Sequence, residues 1–254
     1  MKLDKFLFAS RSLGNERTVR VLYPENSSIR YPVLYVHDGL AAFRRDTPAS
    51  WECFSFDEAL EKIHQDLIIV AIEAKEPLIR TREYSPFPWV GEANKYLHSG
   101  EEEGDLYLEW LLQDLKPFID SHYQTLTDRS HTFMFGTSLG GLISVYAASK
   151  HPETFSKIGC FSLASWGNER ALLSFVKASN INQGTSFFIR VGEKEGIPRD
   201  LVSLGACYPR LSENLVSLLK EKGSAVDFAR NPLNRHCTKD WEKDVPSFLE
   251  WLFS

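Results

Sequence analysis

The stretch Thr132-Phe133-Met134-Phe135-Gly136-Thr137-Ser138-Leu139-Gly140-Gly141-Leu142 decides the fold. An apolar run of strand length ends in Gly-x-Ser-x-Gly and passes straight into Leu139–Ser149, which reads as a helix. A serine held between strand and helix in this pattern is a nucleophile elbow. The turn forces the serine backbone into a strained conformation, so that its hydroxyl projects above the sheet. Side chains two residues to either side would collide, which calls for glycine at 136 and 140. The N-terminus of the following helix favours negative charge beside the serine.

Outward from the elbow, apolar runs alternate with helical patterns. The expected strands are Pro32–Val36, Leu67–Glu73, His131–Phe135, Ile158–Ser162, Ser186–Val191 and Val226–Arg230. The expected helices are Phe56–Gln65, Asp105–Tyr123, Leu139–Ser149, Glu169–Lys177, Tyr208–Lys222 and Lys239–Phe253. Such alternation specifies an α/β fold with a mostly parallel sheet and helices on both faces, and near-continuous apolar strands are what that sheet requires. Ahead of it, Phe6–Ser10 and Arg17–Tyr23 are joined through Gly14-Asn15 and read as an antiparallel hairpin at the sheet edge. One domain over 1–254 is expected, carrying a long Pro- and Gly-rich loop from Ala74 to Gly104. A loop of that length in a compact domain points to a functional element. Its aromatics Phe87, Trp89 and Tyr96 are expected to be exposed and to face a substrate, the alternative for Trp89 being that it pins the loop to the body, and Glu101-Glu102-Glu103 are expected to form a solvated start to the next helix.

Composition narrows the function class. Of 254 residues, 43% are hydrophobic and 25% charged, enough apolar content for a core and not that of a disordered chain. Lys and Arg number 29 against 34 Asp and Glu, a net charge of −5, which argues against a general electrostatic affinity for nucleic acid or an anionic membrane. The longest wholly apolar run, Leu67–Ile72, is far short of the roughly 20 residues that a spanning helix needs. Met1-Lys2-Leu3-Asp4-Lys5 does not open a secretory apolar core. Cys53, Cys160, Cys207 and Cys237 form no C-x-x-C pair, so the expectation is a cytoplasmic protein with reduced thiols.

A serine hydroxyl needs a base to become a nucleophile. Only His151 and His236 follow Ser138 in the chain. His151 ends the elbow's own helix and is carried away from the site. His236 follows the last expected strand, in a loop at the carboxyl edge of the sheet, where a base belongs. A carboxylate must hold the imidazole and stabilise its charged form. Directly after Ser186–Val191 the candidates are Glu195, which is preferred, Glu193, and Asp200 third. An oxyanion hole needs two backbone N–H groups: Leu139, next to the serine, and Leu40, in the loop His37-Asp38-Gly39-Leu40. His37 has no spaced His or carboxylate partner, so no metal site is expected.

With these residues in place, the sequence resembles the "Putative esterase" family of α/β-hydrolases, which includes esterase D, feruloyl-type carbohydrate esterases, mycolyltransferases and enterochelin-type trilactone esterases. The matching residues are Val33 to Gly39 with Phe43, Arg82 to Pro86, Phe135 to Leu142, His151 to Phe155, Ser162 to Trp166, Gly192 to Glu195, and His236 with Trp241. They run over almost the whole chain, from about Arg17 to Trp251. The resemblance implies an α/β-hydrolase fold and ester or thioester hydrolysis without metal or cofactor, on a small-molecule ester. It implies attack by Ser138, proton transfer through His236, and an acid three residues after the glycine that ends the strand, which falls on Glu195; relatives commonly carry aspartate there. It implies that Trp166 lines the pocket and that Arg82 is structural. An acyltransferase using the same acyl-enzyme, or a non-catalytic binding protein on the same scaffold, are the alternatives.

Overall fold

The computed structural model describes residues 1–10, 12–26, 28–91, 93–94, 101–181, 184–196 and 207–254. Eight strands make one sheet: β1 (Lys2–Ser10), β2 (Asn15–Tyr23), β3 (Val33–Val36), β4 (Ile68–Ile72), β5 (Thr132–Thr137), β6 (Lys157–Phe161), β7 (Ser186–Gly192) and β8 (Ala225–Asn231). Their order is β1-β2-β4-β3-β5-β6-β7-β8. β1 and β2 form the antiparallel hairpin, with Phe6 opposite Val19, and β2 meets β4 antiparallel, with Val21 opposite Val70. Every other pair is parallel.

Strands β3, β4 and β5 are buried at every position, as a sheet covered on both faces demands. Alternation sends successive side chains to opposite layers. Val33, Tyr35 and Met134 join one core layer, together with Leu142 and Ile143 of the elbow helix. Leu34, Val36 and Phe135 join the other, with Phe161, Phe188 and Phe248. Phe135 sits 4.9 Å from the Phe161 ring and 5.1 Å from Phe248. A Cβ on Gly159 would stand 2.6 Å from Phe248, so glycine there makes room for that ring.

Two expected helices are divided in the structure. The stretch expected as Asp105–Tyr123 consists of α-helices Gly104–Trp110 and Lys116–His122, joined by a π-turn over Leu111–Leu115. Pro117 explains the division. It has no N–H to give the preceding turn and its ring crowds the carbonyl four residues back, so the wider π-turn relieves the clash. The C-terminal stretch divides in the same way into Thr238–Trp241, a 3-10 turn at Glu242–Asp244 and Val245–Leu252, with Pro246 in the first turn of the last piece.

The segment 74–104 is not all loop. Pro77–Glu83 forms a helix with proline in its first turn, and Glu83 and Arg17 form a fully buried ion pair at 2.8 Å that ties this helix to β2. The Arg17 guanidinium lies 4.5 Å above the Trp110 ring. Trp89 is not an exposed residue. It is 5% accessible, donates its indole N–H to Ser85 Oγ at 2.8 Å and packs against Trp166. Tyr96 and Gly100 lie outside the described residues. Glu103 is not simply solvated, because it pairs with Arg82. Cys53, Cys160 and Cys237 are free thiols, and burial pushes the Cys160 thiol up to about 12. Among the described residues no helix is long and apolar enough to cross a membrane.

Candidate active site

Ser138 sits between β5 and the helix Leu139–Lys150 with φ 58° and ψ −121°. For a non-glycine residue such a backbone costs on the order of 1–3 kcal/mol and persists only where its surroundings hold it. Here the Ser138 N–H donates to the Phe161 carbonyl at 2.9 Å, and the Ser138 carbonyl accepts from Ala164 N at 3.2 Å. A Cβ on Gly136 would stand 2.2 Å from the Gly140 backbone, which is the collision that glycine avoids.

His236 comes from the loop after β8 and reaches back over the elbow. Its Nε2 lies 3.0 Å from Ser138 Oγ, and its Nδ1 lies 3.0 Å from Glu195 Oε2. A carboxylate only accepts, so Nδ1 carries the proton and Nε2 is left to accept from the serine hydroxyl. Glu195 is buried, and its Oε1 accepts from the Gly192 N–H at 2.5 Å and from the Ser162 hydroxyl. Glu193 points elsewhere: its carboxylate pairs with Arg230 at 3.2 Å. Asp200 lies outside the described residues. His151 remains at the far end of the elbow helix, beside Glu153.

Leu139 opens its helix, so its N–H belongs to the first turn, where donors have no partner within the helix. Leu40 lies in the short turn Gly39–Ala41, after Asp38 at φ 58°, and its side chain is 42% accessible. A Cβ on Gly140 would come within 3.2 Å of both His37 and Asp38, so this loop abuts the elbow helix. Gly39 answers a different need from the one its sequence position suggests: a Cβ there would stand 2.4 Å from the Ala71 backbone at the end of β4. His37 lies beneath the loop, with Nδ1 2.8 Å from the Tyr107 hydroxyl, and burial lowers its pKa to about 4. Among the described residues no cluster of His, Cys, Asp and Glu could hold a metal ion.

A cleft of about 410 Å³ opens over Ser138 and Leu139, walled by Trp166, Tyr208, Ala164, Arg80 and Lys75. Trp166, expected from the resemblance to line a pocket, stands on this cleft wall. Arg80 and Tyr208 were not singled out. Arg80 grips both Asp38 oxygens at 2.5 and 2.8 Å. Burial works against its charge, but Asp38 more than restores it and raises the pKa. Tyr208 lies 4.6 Å from the His236 ring, and Trp241 meets the same ring edge-on at 4.9 Å. Only the Arg82 to Pro86 and Trp241 matches hinted that these neighbourhoods mattered. An arginine and a tyrosine on ordinary helix patterns carry no further sequence signal.

The strand order and the elbow define the class as an α/β-hydrolase fold. Residues 10–248 match the family described as "Putative esterase", and the chain belongs to it. The uncharacterized protein YbbA of Bacillus subtilis (strain 168) is 29% identical over 246 residues, covering 94% of this chain and 93% of that protein. The structure of the enterobactin esterase FES from Shigella flexneri in the presence of enterobactin superposes with a TM-score of 0.76 at 19% identity and covers 100% of this chain. This chain spans only 59% of the Shigella protein's length. An IroE-like serine hydrolase from Shewanella oneidensis gives a TM-score of 0.78 at 19% identity, over 97% of this chain and 79% of its own. At such identities the likeness to these structures is one of fold.

Proposed function

We propose that this esterase-family protein is a serine esterase that cleaves carboxylic esters through an acyl-enzyme, with Ser138 as nucleophile, His236 as general base and acid, and Glu195 as the residue that holds the imidazole. The observation that carries this reading is His236 bridging Ser138 Oγ and Glu195 Oε2 at 3.0 Å on each side. In the first half-reaction Ser138 Oγ attacks the ester carbonyl while Nε2 takes its proton. The developing oxyanion is received by the N–H groups of Leu139 and Leu40. The carbon–oxygen bond to the alcohol then breaks, and the proton on Nε2 passes to the departing oxygen. Water, activated by the same imidazole, releases the acid and restores Ser138.

Residues 1–254 act in this reading as one α/β-hydrolase unit, with the 74–104 segment supplying Lys75, Pro77, Arg80 and Thr81 to the cleft wall. The substrate is a small-molecule ester. Neighbouring structures include a ferulic acid esterase and the Shigella enterobactin esterase in the presence of 2,3-dihydroxy-N-benzoyl-serine. The aromatic walls Trp166 and Tyr208 suit an ester that carries a planar ring. The test is labelling of the wild type by a fluorophosphonate probe, with Ser138→Ala as control, followed by turnover of feruloyl, trilactone and p-nitrophenyl esters. A wild type that resists the probe and cleaves none of these esters removes the reading.

A further inference from the structure

Tyr208 is a cleft residue whose hydroxyl takes no part in the steps carried by Ser138, His236 and Glu195. It lies at the start of the helix Cys207–Glu221, is 6% accessible, and lines the same cleft as Ser138. Its ring packs on the His236 imidazole at 4.6 Å and 36°. This places it against His236, the group from which the leaving oxygen must receive its proton.

The direction of its hydrogen bonding follows from its partner. Trp166 Nε1 lies 3.3 Å from Tyr208 Oη. An indole N–H only donates, so the phenol oxygen is the acceptor in that contact and its own proton is left for another group. The phenol lines the same cleft as Ser138, so that group can be an oxygen of a bound ester. The phenol also remains a donor across the working pH range. Burial is the main cause, with the Glu195 charge adding to it, and together they push its pKa up to about 12 against the opposing pull of Trp166 and Ser138.

We propose that Tyr208, oriented by the Trp166 indole, is a catalytic residue that hydrogen-bonds the departing alcohol oxygen during acylation. This rests on the serine-esterase reading. When the tetrahedral intermediate collapses, the bond between the carbonyl carbon and the alcohol oxygen breaks and its electron pair stays on that oxygen. The proton comes from His236 Nε2, while Tyr208 keeps its own proton and lends a hydrogen bond to the charge that develops before the transfer is complete. A good leaving group carries that charge unaided; a poor one needs the donor.

The experiment measures kcat/KM, which covers all steps through acylation, for wild type and Tyr208→Phe on esters of one acyl group with 4-nitrophenol, phenol, trifluoroethanol and ethanol. Tyr208→Phe keeps the ring against His236 and removes only the hydroxyl. The expected loss is below about 3-fold for the 4-nitrophenyl ester and ~30-fold or more for the ethyl ester, so the dependence on leaving-group acidity steepens. Trp166→Phe should steepen it in the same direction by a smaller factor. An equal loss on all four esters, or no loss on any, overturns the proposal, because a merely structural tyrosine would not sort esters by their leaving group. Fluorophosphonate labelling of Ser138 must persist in Tyr208→Phe. Failure of the wild type to label at Ser138 identifies a failure of the underlying reading, and the proposal falls with it.

Discussion

Trp241 Nε1 stands 2.7 Å from Ser162 Oγ, across 79 residues of chain. The indole can only donate, so the Ser162 hydroxyl must turn its own hydrogen outward, and its partner is Glu195 Oε1. Ser162 is held for this at φ 54°, with its N–H on the Arg190 carbonyl at 2.7 Å. Among the described residues, every partner of the Glu195 carboxylate therefore donates to it: Ser162, Gly192 and His236. Trp241→Phe keeps the stacking on Phe54 but frees the Ser162 hydroxyl to rotate. It should lower kcat/KM by about 3–10-fold, the worth of one hydrogen bond, with little change in melting temperature. In a Glu195→Gln background the same change should cost almost nothing. A double-mutant cycle checks this, and full additivity would detach Trp241 from the carboxylate.

Ser138→Ala should reduce ester turnover on the order of 10³-fold or more while the protein still folds. Adding His236→Ala should then cost little further, because nucleophile and base act as one unit. Glu195→Gln should cost more than Glu193→Gln, since Glu193 is committed to Arg230. Steady-state kinetics on one ester checks all four variants. A larger drop for Glu193→Gln would place the acid elsewhere.

Stability should depend on pH through His37. Its imidazole is buried and, against the opposing charge of Asp38, its pKa falls from 6.5 to about 4. In the unfolded chain it takes a proton first. The stabilisation is fully present above about pH 6.5, is lost as the pH falls from there to about 4, and then levels off. Between pH 7 and 5 the loss should be roughly 2 kcal/mol. Urea denaturation at both pH values measures it. His37→Gln, which still offers Tyr107 an acceptor, should flatten the difference. An equal slope in the variant would assign the effect to other groups.

The parts of this molecule that were legible in sequence are those fixed by local pattern. The runs at 33–36, 68–72 and 132–137 are apolar because both sheet faces are covered, and the glycines flanking Ser138 are set by backbone contact within a few residues. Less legible were features set by distant partners. Nothing near Tyr208 indicates that it will lie on the His236 ring, and nothing near Glu83 indicates a buried Arg17. The helix Pro77–Glu83 was hidden by its Pro and Gly surroundings, and the two divided helices by a periodicity that continues across Pro117 and Pro246.

Trp89 is the sharpest such case, and it changes what its removal should do. Pro86, Pro88 and Gly91 around it suggest an exposed loop aromatic, yet the ring is buried behind Trp166 at 5.4 Å, and a Cβ on Gly167 would strike it at 2.5 Å. Its indole N–H is satisfied by Ser85. Trp89 thus supports the cleft wall from behind and has no surface to offer a substrate. Trp89→Ala should destabilise the fold by about 3–5 kcal/mol, as large-to-small core changes do. It should also weaken turnover of esters that need the Trp166 wall, because Trp166 loses its backing. Trp89→Phe should restore most of the stability, leaving Ser85 Oγ without its donor. Thermal melting and kcat/KM on a bulky aryl ester and a short acyl ester, read together, decide the matter. An unchanged melting temperature with a reordered preference among esters would put Trp89 in the cleft after all.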